Sequence, residues 1–254
     1  MSAGSSAVDV LKVATPFITF GLGVVVERWG RLTRRIMRRP PVQVHVETDP
    51  RIIFANTPSN WVAAPMFVPI DPSELGEPPS LQAMSVRDWA DSRGGLPCGF
   101  QELQVTLTAW QDLSVIVDSV RIEAVEIELP NGVFVGAQVG GASIERRRIE
   151  VALSTWAPEA KYIDVGGAQL ADFSFQLGPG EIGRINIHAG IGDYDDDAIT
   201  AYEWTVYLDL LVDNKRQSVT VDDGGKPFRL ARHGARPMYL ASPNGWDLQV
   251  DPLA

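Results

Sequence analysis

The chain has 254 residues but only one cysteine, Cys98, and three histidines. One thiol cannot close an internal disulfide, so the fold needs no oxidising compartment and a reducing one suits it better. Nothing in the sequence supplies the neighbouring base that a nucleophilic Cys98 would require. His45, His188 and His233 are far apart and show neither HxxxH nor HxH spacing. They read as structural or exposed imidazoles, not as ligands.

Enzyme signatures are missing as well. Gly178 to Gly183, GPGEIG, match the letters of the dinucleotide-binding pattern. That fingerprint has to leave a strand and enter a helix whose N-terminal amides hold the pyrophosphate. Here the segment leaves DFSFQL and enters RINIHAG, so it reads as a turn between strands, with Gly180 supplying a positive φ. Ser143 in GGASIE lacks the strand–turn–helix setting of a nucleophile elbow. Asp222 and Asp223 could do acid–base work, yet beside Gly224 and Gly225 they read more simply as a hairpin turn. The segment GDYDDDAIT sets Asp193, Asp195, Asp196 and Asp197 together, and Asp193, Asp195 and Asp197 are an irregular calcium candidate. Counted from Asp193, the sixth position is Ala198 where an EF-hand needs Gly, and the twelfth is Trp204 where it needs Glu, so a solvated acidic loop is the better reading. No metal or cofactor is expected.

Basic charge is scarce outside the first 39 residues. These hold seven basic residues against Asp9 and Glu27, leaving 15 of the 22 basic and 30 of the 32 acidic residues for positions 40–254, a net charge of −15 there. An acidic body disfavours a nucleic-acid backbone as partner, because like charges would meet without counterion release.

What the N-terminus does have is apolar. Ala7 to Val26 are twenty residues, enough for a helix to cross a hydrocarbon core of about 30 Å, although only Val13 to Val26 are free of charge. Lys12 can snorkel and pair with Asp9, while Pro16, Gly21 and Gly23 are tolerated in membrane helices. A secretory signal carries its positive charge before the apolar run, and here the order is reversed. Trp29 marks the interface, and Arg28, Arg31, Arg34, Arg35, Arg38 and Arg39 follow within twelve residues. At 100° per residue Trp29, Leu32 and Ile36 share a face opposite Arg28, Arg31, Arg35 and Arg38, the pattern of a helix in the headgroup layer. Anionic lipid headgroups are the expected partner of this neck. The positive-inside rule then leaves the N-terminus outside and the acidic body in the cytoplasm. Two other placements of residues 7–26 stay open, an interfacial helix and a helix packed on protein.

From Pro41 onward period-two alternation dominates, in VQVHVE, in LQVTLTAW and above all in AYEWTVYLDLLV. In the last, Tyr202, Trp204, Val206, Leu208, Leu210 and Val212 would face one way. Further strands are expected at 113–117, 120–129, 149–154, 173–177, 184–188, 217–221 and 226–230, with turns at Pro130-Asn131-Gly132, Asp213-Asn214-Lys215 and Pro243-Asn244-Gly245. Residues 71–100 interrupt this pattern with a Pro-rich excursion and one short helix, for which Ser85 and Asp88 suggest a capping box and Gly94-Gly95 the end. The expected organisation is a tail at 1–6, a membrane helix at 7–26, a basic segment at 27–40 and, over 41–254, an antiparallel two-sheet β-sandwich.

Trp89 with Gly94-Gly95, LQVTLTAWQDLSVIVDSVRIEAVEIE, Arg148 with EVAL, Trp204 in WTVYLDL, and VTVDDGGKPF with Tyr239 and Trp246 follow one another in an order that resembles uncharacterised actinobacterial membrane-anchored β-rich proteins. The VDDxGxPF stretch is the most specific part. Cysteines common in that group are replaced by Gly140-Gly141 and Glu203, so no redox or metal role is implied here. The resemblance implies an anchor followed by a β domain and hints at signalling. The expected function is therefore a single-pass membrane protein, not an enzyme, whose cytoplasmic β-sandwich binds a protein or ligand. Two alternatives stand beside it: a structural part of a larger assembly whose N-terminal helix packs on a neighbour, and a membrane-attached hydrolase or Ca²⁺-dependent enzyme.

Overall fold

A computed structural model describes residues 40–55, 64–137, 148–154, 158–164, 166–170, 173–191, 200–232 and 237–249. The apolar segment 7–26, Trp29 and the six neck arginines lie outside these residues, as do Ser143, Asp193, Asp195, Asp196, Asp197 and His233. No helix among the described residues is long and apolar enough to cross a membrane.

The chain is mainly β. Its strands are β1 (Val42–Glu47), β2 (Met66–Val68), β3 (Leu96–Pro97), β4 (Phe100–Ala109), β5 (Val115–Glu128), β6 (Val133–Ala137), β7 (Arg148–Leu153), β8 (Glu159–Ile163), β9 (Gln169–Leu170), β10 (Phe175–Leu177), β11 (Ile182–Ile191), β12 (Thr200–Val212), β13 (Lys215–Val221), β14 (Phe228–Ala231), β15 (Met238–Ser242) and β16 (Gly245–Gln249). The helices are α1 (Pro50–Ile53) and α2 (Ala83–Asp91), with a 3₁₀ turn at Pro72–Glu74.

Alternation decides how the two large sheets meet. A six-stranded sheet runs β1-β4-β11-β7-β8-β9, and a second has the order β10-β5-β12-β13 with β14 on the other half of β12. Leu103, Val105 and Leu107 of β4 and Ile185 and Ile187 of β11 turn inward from the first. Trp204, Val206 and Leu208 of β12 come from the second, and all belong to one buried cluster. Every β12 residue expected to face inward, Tyr202 to Val212, is buried. Trp204 is fully enclosed, packed on Phe228 at 5.0 Å, with its Nε1 donating to Gln101 Oε1 at 3.3 Å.

Three expectations need correction. A third sheet, β16-β15-β6-β2-β3, stands beside the two, and the pairs β11–β7 and β15–β6 are parallel. Strand direction is set by the path of the connections, which period-two alternation does not encode. The strands read at 113–117 and 120–129 form the single strand β5, because Asp118 is looped out as a bulge where the register with β12 shifts at Asp209/Leu210. Ser85 caps nothing: α2 starts at Ala83 after Gln82, which makes no side-chain cap bond, and Asp88 instead pairs with Arg51 at 3.0 Å. The capping box lies upstream, where Asp71 Oδ1 accepts from Ser73 N at 2.9 Å and Glu74 Oε2 accepts from Asp71 N at 3.4 Å.

The excursion 71–100 connects β2 to its neighbour β3, and α2 lays Val86 and Ala90 on Met66, Val133 and Val135 of the third sheet. Trp89 packs on Trp246 at 5.4 Å under the guanidinium of Arg93. Phe67, Cys98, Phe134, Ala201 and Ala231 join this sheet to the second, with Gly99 N donating to Ala231 O at 2.9 Å.

Candidate functional site

The sheets leave a cleft where β11 outruns its neighbour. Within the first sheet the inward row runs Ile187, Ile149, Tyr162, Leu170 across β11, β7, β8 and β9. The β7 pairing begins at Ile187, so Ile185 and Gly183 have no partner on β7, and the cleft they line is bordered by β10 of the second sheet. The opening has a volume of about 570 Å³.

Aromatic residues build its wall. Phe173 stacks on Tyr162 with centroids 4.8 Å apart and meets Phe175 edge-on at 5.6 Å. Phe175 and Leu177 come close because position 183 is glycine: a Cβ there would stand 2.8 Å from Leu177 Cδ2 and 2.9 Å from Phe175 Cε2. Tyr162 also ties the two sheets together through a hydrogen bond with the Val120 backbone. Burial pushes its phenol above the ordinary tyrosine range, and that hydrogen bond pulls the other way.

Gln176, Arg184 and Asn186 border the opening, but they alternate with the inward Phe175, Leu177, Ile185 and Ile187 and so carry their side chains on the outer faces. Asn186 Oδ1 accepts from Gln104 Nε2 at 3.2 Å, and Arg148 is held by Glu150 at 2.6 Å. The GPGEIG turn closes one end, as its strand-to-strand setting predicts: Gly180 has φ +74°, and Glu181 Oε2 accepts from Gly178 N at 2.7 Å. An apolar, aromatic wall is chemistry for holding a small, flat ligand.

The other sequence candidates lie apart from this cleft. His188 Nδ1 meets Glu102 Oε1 at 2.7 Å on the outer face of the first sheet, and its ring stacks on Phe100. His45 is on the edge strand β1 opposite Thr106. Cys98 is buried, and desolvation pushes its thiol far above the ordinary range. Asp222 Oδ1 accepts from Gly225 N at 2.9 Å, which puts this carboxylate in a turn. The turn itself is closed as a two-residue hairpin turn, with Asp223 N donating to Lys226 O at 2.8 Å and Lys226 N to Asp223 O at 3.2 Å, but β13 and β14 do not pair beyond it and lie end to end along β12. Among the described residues no group of three or more His, Cys, Asp or Glu could hold a metal.

Sequence reading placed Phe173 to Leu177 and Arg184 to His188 on strands but missed β8, and with it Tyr162. The signal present was slight: EAKYI is short, and its one strong inward residue is the tyrosine. Compared with known proteins, the chain matches no family model, no curated protein and no solved structure.

Proposed function

We propose that this chain is a membrane-anchored binding protein, not an enzyme, whose β domain takes a small, flat, largely apolar ligand between Tyr162, Phe173, Phe175 and Ile185. The observation that carries the reading is the aromatic-walled cleft, whose volume of about 570 Å³ lies within the span typical of small-molecule sites.

The anchor rests on the sequence of residues 7–39. In this reading the apolar run crosses the bilayer once, Trp29 and the six arginines lie on anionic headgroups, and the β domain stays in the cytoplasm. The resemblance to actinobacterial membrane-anchored β-rich proteins agrees with that layout, and a sandwich-like pairing of the two large sheets provides the binding body.

Two experiments test the two halves separately. Full-length protein purified in mild detergent, extracted with organic solvent and examined by mass spectrometry, should yield one small molecule in near-stoichiometric amount. The Gly183→Val variant, whose side chain displaces Phe175 and Leu177 from the cleft wall, should yield none; equal recovery from both proteins, or none from either, contradicts the binding reading. The anchor is tested by carbonate extraction of cell membranes and by protease protection of a C-terminal tag. Release into the carbonate supernatant contradicts the membrane span.

A further inference from the structure

The chain enters the β domain beside the cleft. Pro40 is fixed by Trp110, whose Nε1 donates to the Pro40 carbonyl at 2.9 Å. The Trp110 carbonyl accepts from Gly180 N at 3.2 Å, and Ala109 N donates to Glu181 O at 3.0 Å. One tryptophan thus joins the point of entry to the GPGEIG turn, which closes one end of the cleft. Strand order agrees: β1 starts at Val42 opposite Ala109 of β4, and on the other side of β4 the strand β11 starts with Ile182 opposite Thr108. At about 4.8 Å between neighbouring strands, β1 lies about 10 Å from the cleft's border at Ile182 and Gly183.

Arg39 adjoins Pro40, and consecutive Cα atoms are about 3.8 Å apart. With the neck arginines on headgroups, no spare chain lets the domain stand off from the lipid. The end of the sandwich that carries the cleft is then the end next to the bilayer, and Ile182, 62% exposed, stands on it. β5 starts at this same end, with Val115 opposite Leu177, and carries Glu128 roughly 40 Å away.

The inward wall of the cleft is uncharged among the described residues. Arg148 and Arg184 alternate with the inward Ile149 and Ile185 and so turn to the outer face, where Glu150 holds Arg148. Glu181 is bent back onto Gly178 N, and the Tyr162 hydroxyl is bonded to Val120. A charged group laid against Phe173, Phe175 and Leu177 would lose its hydration and find no counter-charge there, whereas apolar carbon gains from the same burial. Uncharged apolar molecules of this kind concentrate in lipid, not in water.

Building on the anchored-binding reading above, we propose that the cleft takes its ligand directly from the cytoplasmic leaflet: an uncharged, lipid-soluble molecule with a flat apolar body, which passes between bilayer and cleft without crossing water.

Full-length protein in vesicles of phosphatidylcholine and phosphatidylglycerol tests both parts. For the orientation, Gln111→Cys and Glu128→Cys, both at exposed positions, are each labelled with a fluorescent maleimide, which the buried Cys98 escapes. A lipid with a spin-labelled headgroup should quench most of the emission of the first label and leave the second bright; equal quenching of both, or none of the first, overturns the proposal. For the ligand, the vesicles carry pyrene, whose excimer emission falls as molecules leave the bilayer. The loss should saturate at one pyrene per chain and vanish in Gly183→Val; if that variant does not fold, Phe173→Ala decides, and unchanged uptake in it rejects the cleft as the site. Pyrene offered to the same protein in mild detergent separates this proposal from the reading beneath it. Uptake in detergent with none from vesicles leaves the cleft a small-molecule site and overturns its supply from the membrane, whereas no uptake in either medium overturns the ligand class as well. Protein that carbonate strips from the vesicles fails the anchor itself, and the proposal with it.

Discussion

Tyr162 lies face to face with Phe173, planes inclined by 18°, and bonds through its hydroxyl to the backbone of Val120 on the facing sheet. One side chain thus shapes the cleft and fastens the sheets that form it.

Removing the Phe173 ring should test the first role. Phe173→Ala is expected to lower stability by about 1–3 kcal/mol, toward the low end for a phenylalanine because the ring is only partly buried. Thermal melting measures the loss, and the co-purifying ligand should disappear with it.

Alkaline stability should test the second. The Tyr162 phenol is raised by burial, so its contribution is complete below the ordinary tyrosine value of about pH 10 and disappears as pH climbs through the higher folded value. Tyr162→Phe should flatten that alkaline loss while costing about 1 kcal/mol at neutral pH through the missing hydrogen bond. Melting curves between pH 8 and 11 compare the two proteins.

Gly183 permits the close approach of Phe175 and Leu177. Gly183→Ala should destabilise by about 1–3 kcal/mol, since both side chains must move to admit a methyl group. A neutral result in thermal melting would show that β10 has room to retreat.

The hairpin between β12 and β13 holds Asp213 and Asn214 at φ 49° and 58°. Glycine tolerates that backbone and branched side chains do not. Asn214→Gly should therefore match or exceed the parent by about 0.5 kcal/mol, whereas Asn214→Val should fall by about 1–2 kcal/mol.

Acid should act at the second sheet's outer face. Arg121 donates to Asp209 at 3.0 Å and holds that carboxyl below its usual range, helped by Ser119. The contribution is present above about pH 4 and is lost as pH falls through the depressed folded value. The pair is solvent-exposed, so Asp209→Asn should change stability by less than about 1 kcal/mol at neutral pH and flatten the curve below pH 4. Melting between pH 2 and 7 measures both effects.

Much of the two large sheets was legible because a half-buried strand repeats every two residues, as Tyr202 to Val212 and Leu103 to Leu107 do. The third sheet was not. Its strands Met66–Val68 and Val133–Ala137 are buried at every residue except Ala137, so they show no alternation, and Leu96–Pro97 is only two residues long. The cleft was half legible: Phe173, Phe175 and Leu177 alternate in the sequence, but Gly183 looked like part of a turn until Leu177 and Phe175 were seen against it. Arg232, which is buried, gave no hint at all, because burial of a charge depends on strands that are distant in sequence.

The pairing of β5 with β12 has a consequence for biosynthesis. The two longest strands lie side by side from Thr200 opposite Glu128 to Val212 opposite Val115. On the ribosome β5 emerges well before its partner, with open edges and an apolar face, and non-local pairings of this kind form slowly. The nascent chain therefore passes through an interval in which it is prone to self-association, and cells with depleted chaperones should accumulate it as aggregate.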